Sequence, residues 1–360
     1  MQPLVPLRGR GTARNPANRF VGVEREADGD WLDALPDDEP GPRTQFLRDH
    51  TRAILARNDS PDVPFDTSVN AYRGCEHGCA YCFARPTHEY LGFSAGLDFE
   101  TKIMVKHDAP ELLRRALASP RWTPHPIAMS GVTDPYQPVE RRLELTRRCL
   151  QVLAEFRNPV GIVTKNFLVT RDIDVLAELA AHDAVSVNLS ITTLDERLQR
   201  VMEPRTSIPA RRLEAVRRLS AAGIPVRVLV APVIPGMTDH EMPAILAAAA
   251  EAGARAASYI PLRLPHGLKG LFEDWLTTHF PDRREKVLNR VRAIRGGALY
   301  DPTFGTRMRG EGIFADQMRT LFAAACRKAG IDGRTLPPLS TDAFRRPHDA
   351  RGQMGLFDAA

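Results

Sequence analysis

Long apolar runs are missing from this 360-residue chain. No stretch approaches the ~18–20 consecutive apolar residues that a membrane-spanning helix needs. The opening residues, MQPLVPLRGRGTARNPANRF, also lack the apolar core of a signal peptide. We therefore expect a soluble, cytoplasmic protein without a membrane partner. The hydrophobic content of 43% is enough for a sizeable core in one large domain or two ordinary ones.

Cysteine is scarce, and its distribution is uneven. Three of the five cysteines fall in the stretch AYRGCEHGCAYCFARP, as Cys75-x3-Cys79-x2-Cys82. Because thiols stay reduced in the cytoplasm, this spacing indicates a metal site and not disulfides. The other two, Cys149 and Cys326, occur on helical patterns, and we expect them to be buried apolar thiols.

Lysine is also scarce, with six residues against 43 arginines. The net charge of +5 and the pI of about 9.1 fit a nucleic-acid partner. Solvated helix faces are the other interpretation, because paired arginines occur on helical patterns. These pairs are Arg141-Arg142, Arg147-Arg148, Arg211-Arg212 and Arg217-Arg218.

The middle of the chain alternates apolar strand patterns with helical ones. Predicted strands lie in TSVNAY, PIAMS, PVGIVTK, VSVNLSI, IPVRVLVAPVI and ARAASYIPL, and a first helix is predicted in FLRDHTRAILARN. Such alternation is typical of a parallel sheet covered by helices, so the sequence predicts an α/β fold, a partial (β/α)6 barrel. The cysteine loop follows the first barrel strand, at the sheet edge where barrel enzymes place their chemistry.

Four segments are expected along the chain. Residues 1–45 are rich in Pro, Gly and charge, which predicts a mobile polar arm. Residues 46–300 would form the barrel and residues 301–345 a C-terminal helical extension. Residues 346–360 would be a flexible tail.

Three thiolates can hold three irons of a cubane iron–sulfur cluster and leave the fourth iron open to a ligand. Structural zinc is the alternative, with His77 completing a Cys3His set. Cys75 and His77 are only two residues apart, so their side chains do not easily bind the same tetrahedral ion. In the cluster interpretation the ring of Tyr81 would touch a cofactor beside the open iron.

Cys-x3-Cys-x2-Cys with an aromatic residue before the third cysteine resembles the radical S-adenosylmethionine (radical SAM) superfamily. More narrowly, the chain resembles its bacterial branch related to spore photoproduct lyase, the "DNA repair photolyase"-like proteins. The stretches that carry this resemblance are SVNAYRGCEHGCAYCFARPTHEYLG, SGVTDPYQPVE, VTKNFLVTRDIDVL, LSITTLD and VIPGMTD. The resemblance covers roughly residues 50 to 300 and implies a radical SAM barrel.

The resemblance also implies cofactors and their ligands. Cys75, Cys79 and Cys82 would bind a [4Fe–4S] cluster, and SAM would chelate the fourth iron through its amine and carboxylate. Polar groups at strand ends would fix SAM: Thr133 and Asp134 the amine, Lys165 the carboxylate, and Ser190 the ribose. The segments VIPG and YIP would line the adenine, with ordinary core packing as the alternative.

One departure from the family pattern concerns the return of hydrogen. Spore photoproduct lyases carry a hydrogen-donating cysteine before the Ser/Thr-Asp pair, and alignment on Thr133-Asp134 places Gly131 there. This departure puts the spore-photoproduct reaction in doubt. Tyr136 or Tyr259 is a candidate relay in place of the cysteine.

The implied activity is reductive cleavage of SAM to a 5′-deoxyadenosyl radical, which abstracts hydrogen from a substrate. A flavodoxin- or ferredoxin-type protein would supply the electron. Three functions stay open: an enzyme acting on a nucleic-acid lesion, an enzyme modifying RNA or a protein, and a zinc-stabilised binding protein without catalysis.

The C-terminal tail, DARGQMGLFDAA, carries a short apolar motif. Gln353, Leu356 and Phe357 resemble the Gln-x-x-Leu-Phe peptides that bind the bacterial sliding clamp. Packing of these side chains back on the barrel is the alternative.

Overall fold

The computed structural model describes residues 5–20, 42–331 and 336–347. The strands are β1 Gln45–Arg48, β2 Leu55–Arg57, β3 Thr67–Val69, β4 Tyr72–Arg73, β5 Lys102–Val105, β6 Ile127–Met129, β7 Val160–Thr164, β8 Val185–Ser190, β9 Val226–Val233 and β10 Ala256–Pro261. The α-helices are Leu97–Thr101, Ala109–Ala118, Glu140–Leu143, Leu145–Phe156, Ile173–Ala180, Glu196–Met202, Pro209–Ala221, Met242–Glu251, Leu268–His279, Pro281–Ala293, Thr306–Arg309 and Ile313–Ala329. Short 3-10 helices cover Arg85–Leu91, Phe167–Asp172 and Asp239–Glu241.

The main sheet has the strand order β10-β9-β8-β7-β6-β3-β2 in the described part of the chain. Six strands of this sheet pair in parallel with their neighbours: β3, β6, β7, β8, β9 and β10. Within the described part of the sheet, only β2 is antiparallel. Helices connect the parallel strands, as the geometry of parallel pairing requires. The prediction of six β/α units in a partial barrel is confirmed.

The strands have one face toward the helices and one toward the barrel interior. In β9 the side chains of Val226, Val228 and Val230 are at most 1% exposed and belong to the main core cluster. Arg227 and Leu229 alternate with them and are less buried. Because successive side chains of a strand point to opposite faces, the polar and small residues between the core valines face inward.

A smaller sheet has the order β1-β5-β4 and lies at the start of the barrel. The sequence predicts one helix over FLRDHTRAILARN, and this prediction is wrong. Its two apolar ends pair with different sheets, β1 with β5 and β2 with β3. These pairings join residues far apart in sequence, and they outweigh the local helical preference.

The expectation of a mobile arm over residues 1–45 is wrong for residues 5–20. Arg10 and Thr12 are buried, and both bind Glu100. The side chain of Asn18 donates to the carbonyls of Glu89 and Phe93, at 2.8 Å each. Charge and glycine content made this segment resemble a free arm, yet its polar groups have fixed partners on the barrel.

The C-terminal extension packs on the outside of the barrel. Helix Ile313–Ala329 lies against helix Met242–Glu251, and the chain then returns to the sheet. The amides of Ser340 and Arg345 donate to the carbonyls of Asp183 and Phe156 at 3.0 Å. Over the described residues, no helix combines the length and apolarity needed to span a membrane.

Candidate functional site

The three clustered cysteines lie on a loop between β4 and the 3-10 helix Arg85–Leu91. Cys75 and Cys79 are buried, and Cys82 is half-buried. Gly78 turns the loop with a φ of 65°, and a Cβ at this position would lie 2.6 Å from Glu100 Oε2. Glycine is therefore required here by the backbone conformation and by the approach of the carboxylate.

A buried ion pair anchors this loop. Arg85 is fully buried, and its Nε and Nη2 donate to the carbonyl of Cys79 at 3.0 and 2.9 Å. Its Nη2 also pairs with Glu100 Oε1 at 2.6 Å. Glu100 in turn accepts the amide of Gly11 and the hydroxyl of Thr12, both at 2.9 Å. The N-terminal segment and the cysteine loop are thus held by the same carboxylate.

A second polar network lies at the C-terminal ends of β7, β8 and β9. Lys165 Nζ lies 3.2 Å from Thr192 Oγ1, 3.1 Å from the carbonyl of Ala231 and 3.2 Å from Glu203 Oε1. The Tyr81 hydroxyl donates to Glu203 and lies 3.2 Å from Thr192 Oγ1. The network therefore joins the cysteine loop to the strand ends.

Glu203 is fully buried and ionised. Burial opposes its ionisation, but the charges of Arg212 and Lys165 outweigh burial and lower its pKa. Arg212, itself 1% exposed, pairs with Glu203 and donates to the carbonyl of Ser190 at 3.0 Å. Burial and the Glu203 carboxylate raise the pKa of Tyr81 well above its ordinary value, so Tyr81 is a neutral donor.

Asp134 links β6 to β7. Its carboxylate accepts the hydroxyl of Thr164 at 2.7 Å, and the amides of Lys165 and Tyr136 at 2.8 and 2.9 Å. The Nδ1 of His77 lies 3.3 Å from Asp134 Oδ2, an ion-pair contact and not a well-aligned hydrogen bond. This carboxylate therefore fixes both the backbone that presents Lys165 and the histidine inside the cysteine loop.

A family model described as the radical SAM superfamily matches residues 69–249, which include the cysteine loop and the strand ends described above. The chain belongs to the radical SAM superfamily. Its cofactors are a [4Fe–4S] cluster and SAM.

Two relatives and one solved structure illustrate what the chain is similar to. The Mycobacterium tuberculosis protein Rv2578c is 38% identical over 250 residues, which cover 69% of this chain and 72% of the relative. MJ0683 of Methanocaldococcus jannaschii is 29% identical over 173 residues, covering 48% and 62%. A structure of spore photoproduct lyase with a dinucleoside spore photoproduct has a TM-score of 0.56 at 16% identity, covering 79% of each chain. At that identity the likeness concerns the fold.

The three thiols of the radical SAM loop fit a cluster. Burial raises the pKa of Cys79 most, Glu203, Cys82 and Cys75 raise it further, and Lys165 lowers it. Burial likewise raises the pKa of Cys82 to about 11. Thiols that resist ionisation need a cationic group to become thiolates, and bound iron supplies the positive charge.

A zinc site completed by His77 does not fit the same geometry. Burial opposes protonation of His77, but Asp134 and Cys75 outweigh burial and raise its pKa to about 10. To bind zinc, the imidazole would have to lose this proton. The ring nitrogens of His77 also contact Asp134 and Asn166. In the described ranges, no group of three or more His, Cys, Asp or Glu side chains is placed to hold a single ion.

The structure brings together most of the residues predicted to bind SAM. Tyr81 and Lys165 share one network, and Ser190 joins it through its carbonyl. The hydroxyl of Thr133 donates to the carbonyl of Gly74 at 2.6 Å, so in this structure it supports the cysteine loop. Contacts of these residues with SAM itself stay predictions.

The structure does not bring the two candidate relay tyrosines into this network. Tyr136 is fully buried, and its hydroxyl donates to Asp172 at 3.1 Å. The Tyr259 ring lies 4.7 Å from that of Phe322, on the helix-facing side of β10. A relay through either residue stays a prediction without support from its contacts.

The resemblance to spore photoproduct lyases aligns Gly131 with their hydrogen-donating cysteine, and Gly131 has a φ of 117°. This conformation favours glycine, because residues with a Cβ rarely adopt it. Cys149 and Cys326 are buried as predicted, at 1% and 5% exposure. The tail residues Gln353, Leu356 and Phe357 lie outside the described residues, and their clamp motif stays a prediction.

Three residues of the site escaped the sequence analysis: Thr192, Glu203 and Arg212. Thr192 lies two residues after the end of β8, and its place near a strand end was an available signal. Arg212 belongs to a pair interpreted as a solvated helix face, and that interpretation is wrong because Arg212 is buried against Glu203. Glu203 ends a helix without any local pattern that marks it.

Proposed function

We propose that this radical SAM enzyme acts on nucleic acid and that its target is a damaged or modified nucleotide. Abstraction of hydrogen by a 5′-deoxyadenosyl radical is the chemistry that the reduced cluster and SAM supply when bound. The residues of the chain bind and orient these groups, and the barrel keeps water away from them.

The observation that carries the nucleic-acid proposal is a pair of exposed aromatic rings, one of which directly follows the cysteine loop. Phe83, directly after Cys82, is 54% exposed, and the Arg263 guanidinium lies 5.7 Å from its ring centre. Phe304 is 55% exposed, with Arg307 4.2 Å from its ring centre. Exposed rings flanked by arginines stack on bases and attract phosphates.

One contact connects the two rings into a surface that we call the aromatic rim: Phe83, Arg263, Phe304, Arg307 and Met308. Arg263 Nη1 lies 3.0 Å from the sulfur of Met308, next to Arg307 in the chain. The rim lies beside Cys82, where a nucleotide could enter the barrel. By analogy, the ligand of the similar spore photoproduct lyase structure, a dinucleoside spore photoproduct, supports a nucleotide substrate.

Several residues have proposed tasks in binding and orientation. Cys75, Cys79 and Cys82 would hold the cluster. Lys165 would turn from Glu203 toward the carboxylate of SAM, a charge-assisted contact that its flexible stem permits. Asp134 would keep the backbone of Lys165 in place. Because Gly131 offers no thiol, we propose that hydrogen is not returned to the product by a cysteine at this position.

The test uses the full chain reconstituted with iron and sulfide under anaerobic conditions. Protein, SAM and dithionite are incubated with undamaged DNA, ultraviolet-damaged DNA, RNA or no nucleic acid. Every component is then analysed by liquid chromatography and mass spectrometry. We expect conversion of a damaged nucleotide to a product of different chromatographic retention only in damaged DNA, lost in Cys79→Ala and kept in Cys149→Ala. A change in RNA alone would support the second candidate, RNA modification, and would contradict the lesion proposal.

A binding test addresses the aromatic rim separately. Phe83→Ala with Phe304→Ala should weaken binding of single-stranded DNA by about tenfold or more, since base stacking on an aromatic ring contributes about 1–3 kcal/mol per base. Phe46→Ala is the control, because Phe46 is also exposed but lies on β1. Equal affinity in the double variant and the control would contradict a role for the rim.

A further inference from the structure

Arg227 lies on the inner face of the barrel, below the residues expected to hold SAM. It pairs with Asn188 of β8, and two residues further along Leu229 pairs with Ser190. Arg227 thus faces inward, as does Ser190, which is expected to contact SAM. Along the strand direction the two residues are two positions apart, or about 7 Å.

The guanidinium of Arg227 has no acceptor in the described part of the chain. Its Nε is buried without a hydrogen-bond partner, and burial lowers its pKa. Two fully buried arginines, Arg85 and Arg212, each pair with a buried glutamate. Arg227 is only partly buried, but among the described residues it has no carboxylate partner, so its charge inside the barrel is available to an anionic ligand.

The inner face around Arg227 is lined by small side chains. Gly161 pairs with Ser186 and with Ala128, one level below Arg227. Gly161, Ser186 and Arg227 keep partial exposure, although the residues beside them in the strands are buried. Solvent therefore reaches the inner face of the barrel at this level.

We infer that Arg227 binds a phosphate of the nucleic-acid substrate inside the barrel, at a site distinct from the SAM carboxylate contact of Lys165. The inference rests on the proposed function and identifies a phosphate as the substrate group that enters the barrel. A planar guanidinium with several free donors matches phosphate in a bidentate arrangement. Binding there would place the phosphate below the level of Ser190, inside the barrel.

The test compares two dinucleotides with reconstituted protein and SAM by calorimetry. One is thymidylyl-thymidine, with an anionic phosphodiester, and the other is its neutral methylphosphonate analogue. Wild-type protein should bind the anionic compound at least about tenfold more tightly, the loss expected for one charge-assisted contact. Arg227→Gln should remove this preference, and Arg227→Lys should restore part of it.

Arg157→Gln is the matched control. The Nε of Arg157 is also buried without a hydrogen bond, but Arg157 caps helix Leu145–Phe156 outside the barrel. This variant should keep the wild-type preference. Arg227→Gln should also melt no lower than the wild type without nucleic acid, because it removes a partly buried charge that has no ion-pair partner in the described residues. A merely structural arginine would instead lower the melting temperature when replaced.

The inference would be overturned by equal affinity of the wild type for both dinucleotides, by an unchanged preference in Arg227→Gln, or by no binding of either dinucleotide. Displacement of a bound dinucleotide by an acidic peptide only in the presence of Arg227 would indicate a carboxylate site instead, and would also overturn it. Formation of 5′-deoxyadenosine from SAM without nucleic acid is measured in parallel. That readout tests the radical SAM chemistry and does not depend on Arg227.

Discussion

At the scale of single residues, the three cysteines of the loop should be individually essential for the cluster. Replacement of Cys75, Cys79 or Cys82 by Ala should abolish stable iron binding, because two thiolates do not hold a [4Fe–4S] cluster. Cys149→Ala and Cys326→Ala should leave the iron content unchanged, since both residues are buried on helices. Iron and sulfide analysis with the absorbance near ~400 nm gives the answer. Loss of iron in Cys149→Ala but not in Cys79→Ala would contradict the assignment.

Lys165 should control SAM affinity without controlling stability. Lys165→Ala should weaken SAM binding about ten- to a hundredfold, the loss of one charge-assisted contact. The cluster and the melting temperature should remain, because Glu203 keeps Arg212 as its partner. Equilibrium dialysis with the loaded enzyme measures the affinity. Unchanged affinity would mean that Lys165 serves only the buried network.

Glu203, in contrast to Lys165, should control the stability of the fold. Glu203→Gln leaves the charge of Arg212 buried without compensation, and we expect a loss of about 3–5 kcal/mol in the free energy of unfolding. Glu214 is the control, because it pairs with Arg217 and Arg218 on the surface. Glu214→Gln should change stability little, since exposed ion pairs contribute little. Urea denaturation of both variants would show the contrast, and equal losses would contradict the buried role of Glu203.

At the scale of elements, the N-terminal segment 5–20 should protect the cluster. A Cβ on Gly11 would lie 1.6 Å from the carbonyl oxygen of Gly78, so Gly11→Ala must push the segment off the cysteine loop. We expect the cluster of this variant to be lost several-fold faster under a chelator. Gly267→Ala is the control, because a Cβ there meets nothing within 4 Å. Equal rates of bleaching at ~400 nm would show that the segment does not matter.

Elements whose pattern is local were predicted well from the sequence. The apolar strands β7, β8 and β9 stand out because valine and isoleucine alternate there with residues that face inward. The segment 46–58 was not predictable in the same way, since its two strands exist only through pairing with β5 and β3. The burial of Arg212 likewise depends on Glu203, which the chain brings close only after folding.

At the scale of the whole molecule, charge should govern the encounter with nucleic acid. The chain carries a net charge of +5, and the aromatic rim itself contains two arginines. Binding of single-stranded DNA should therefore weaken steadily as salt rises from 50 to 200 mM, because binding releases counterions from phosphates. Fluorescence anisotropy at several salt concentrations gives the slope. Affinity that does not depend on salt would contradict phosphate recognition.

The partial barrel and its cysteine loop together make one central claim, that the chain cleaves SAM reductively. Its most direct test is anaerobic incubation of the reconstituted full chain with SAM and dithionite, with methionine and 5′-deoxyadenosine measured by mass spectrometry. We predict that both products form in equal amounts, and that Cys79→Ala forms neither. Fully loaded protein that binds SAM but yields no 5′-deoxyadenosine, with or without nucleic acid, would contradict the claim.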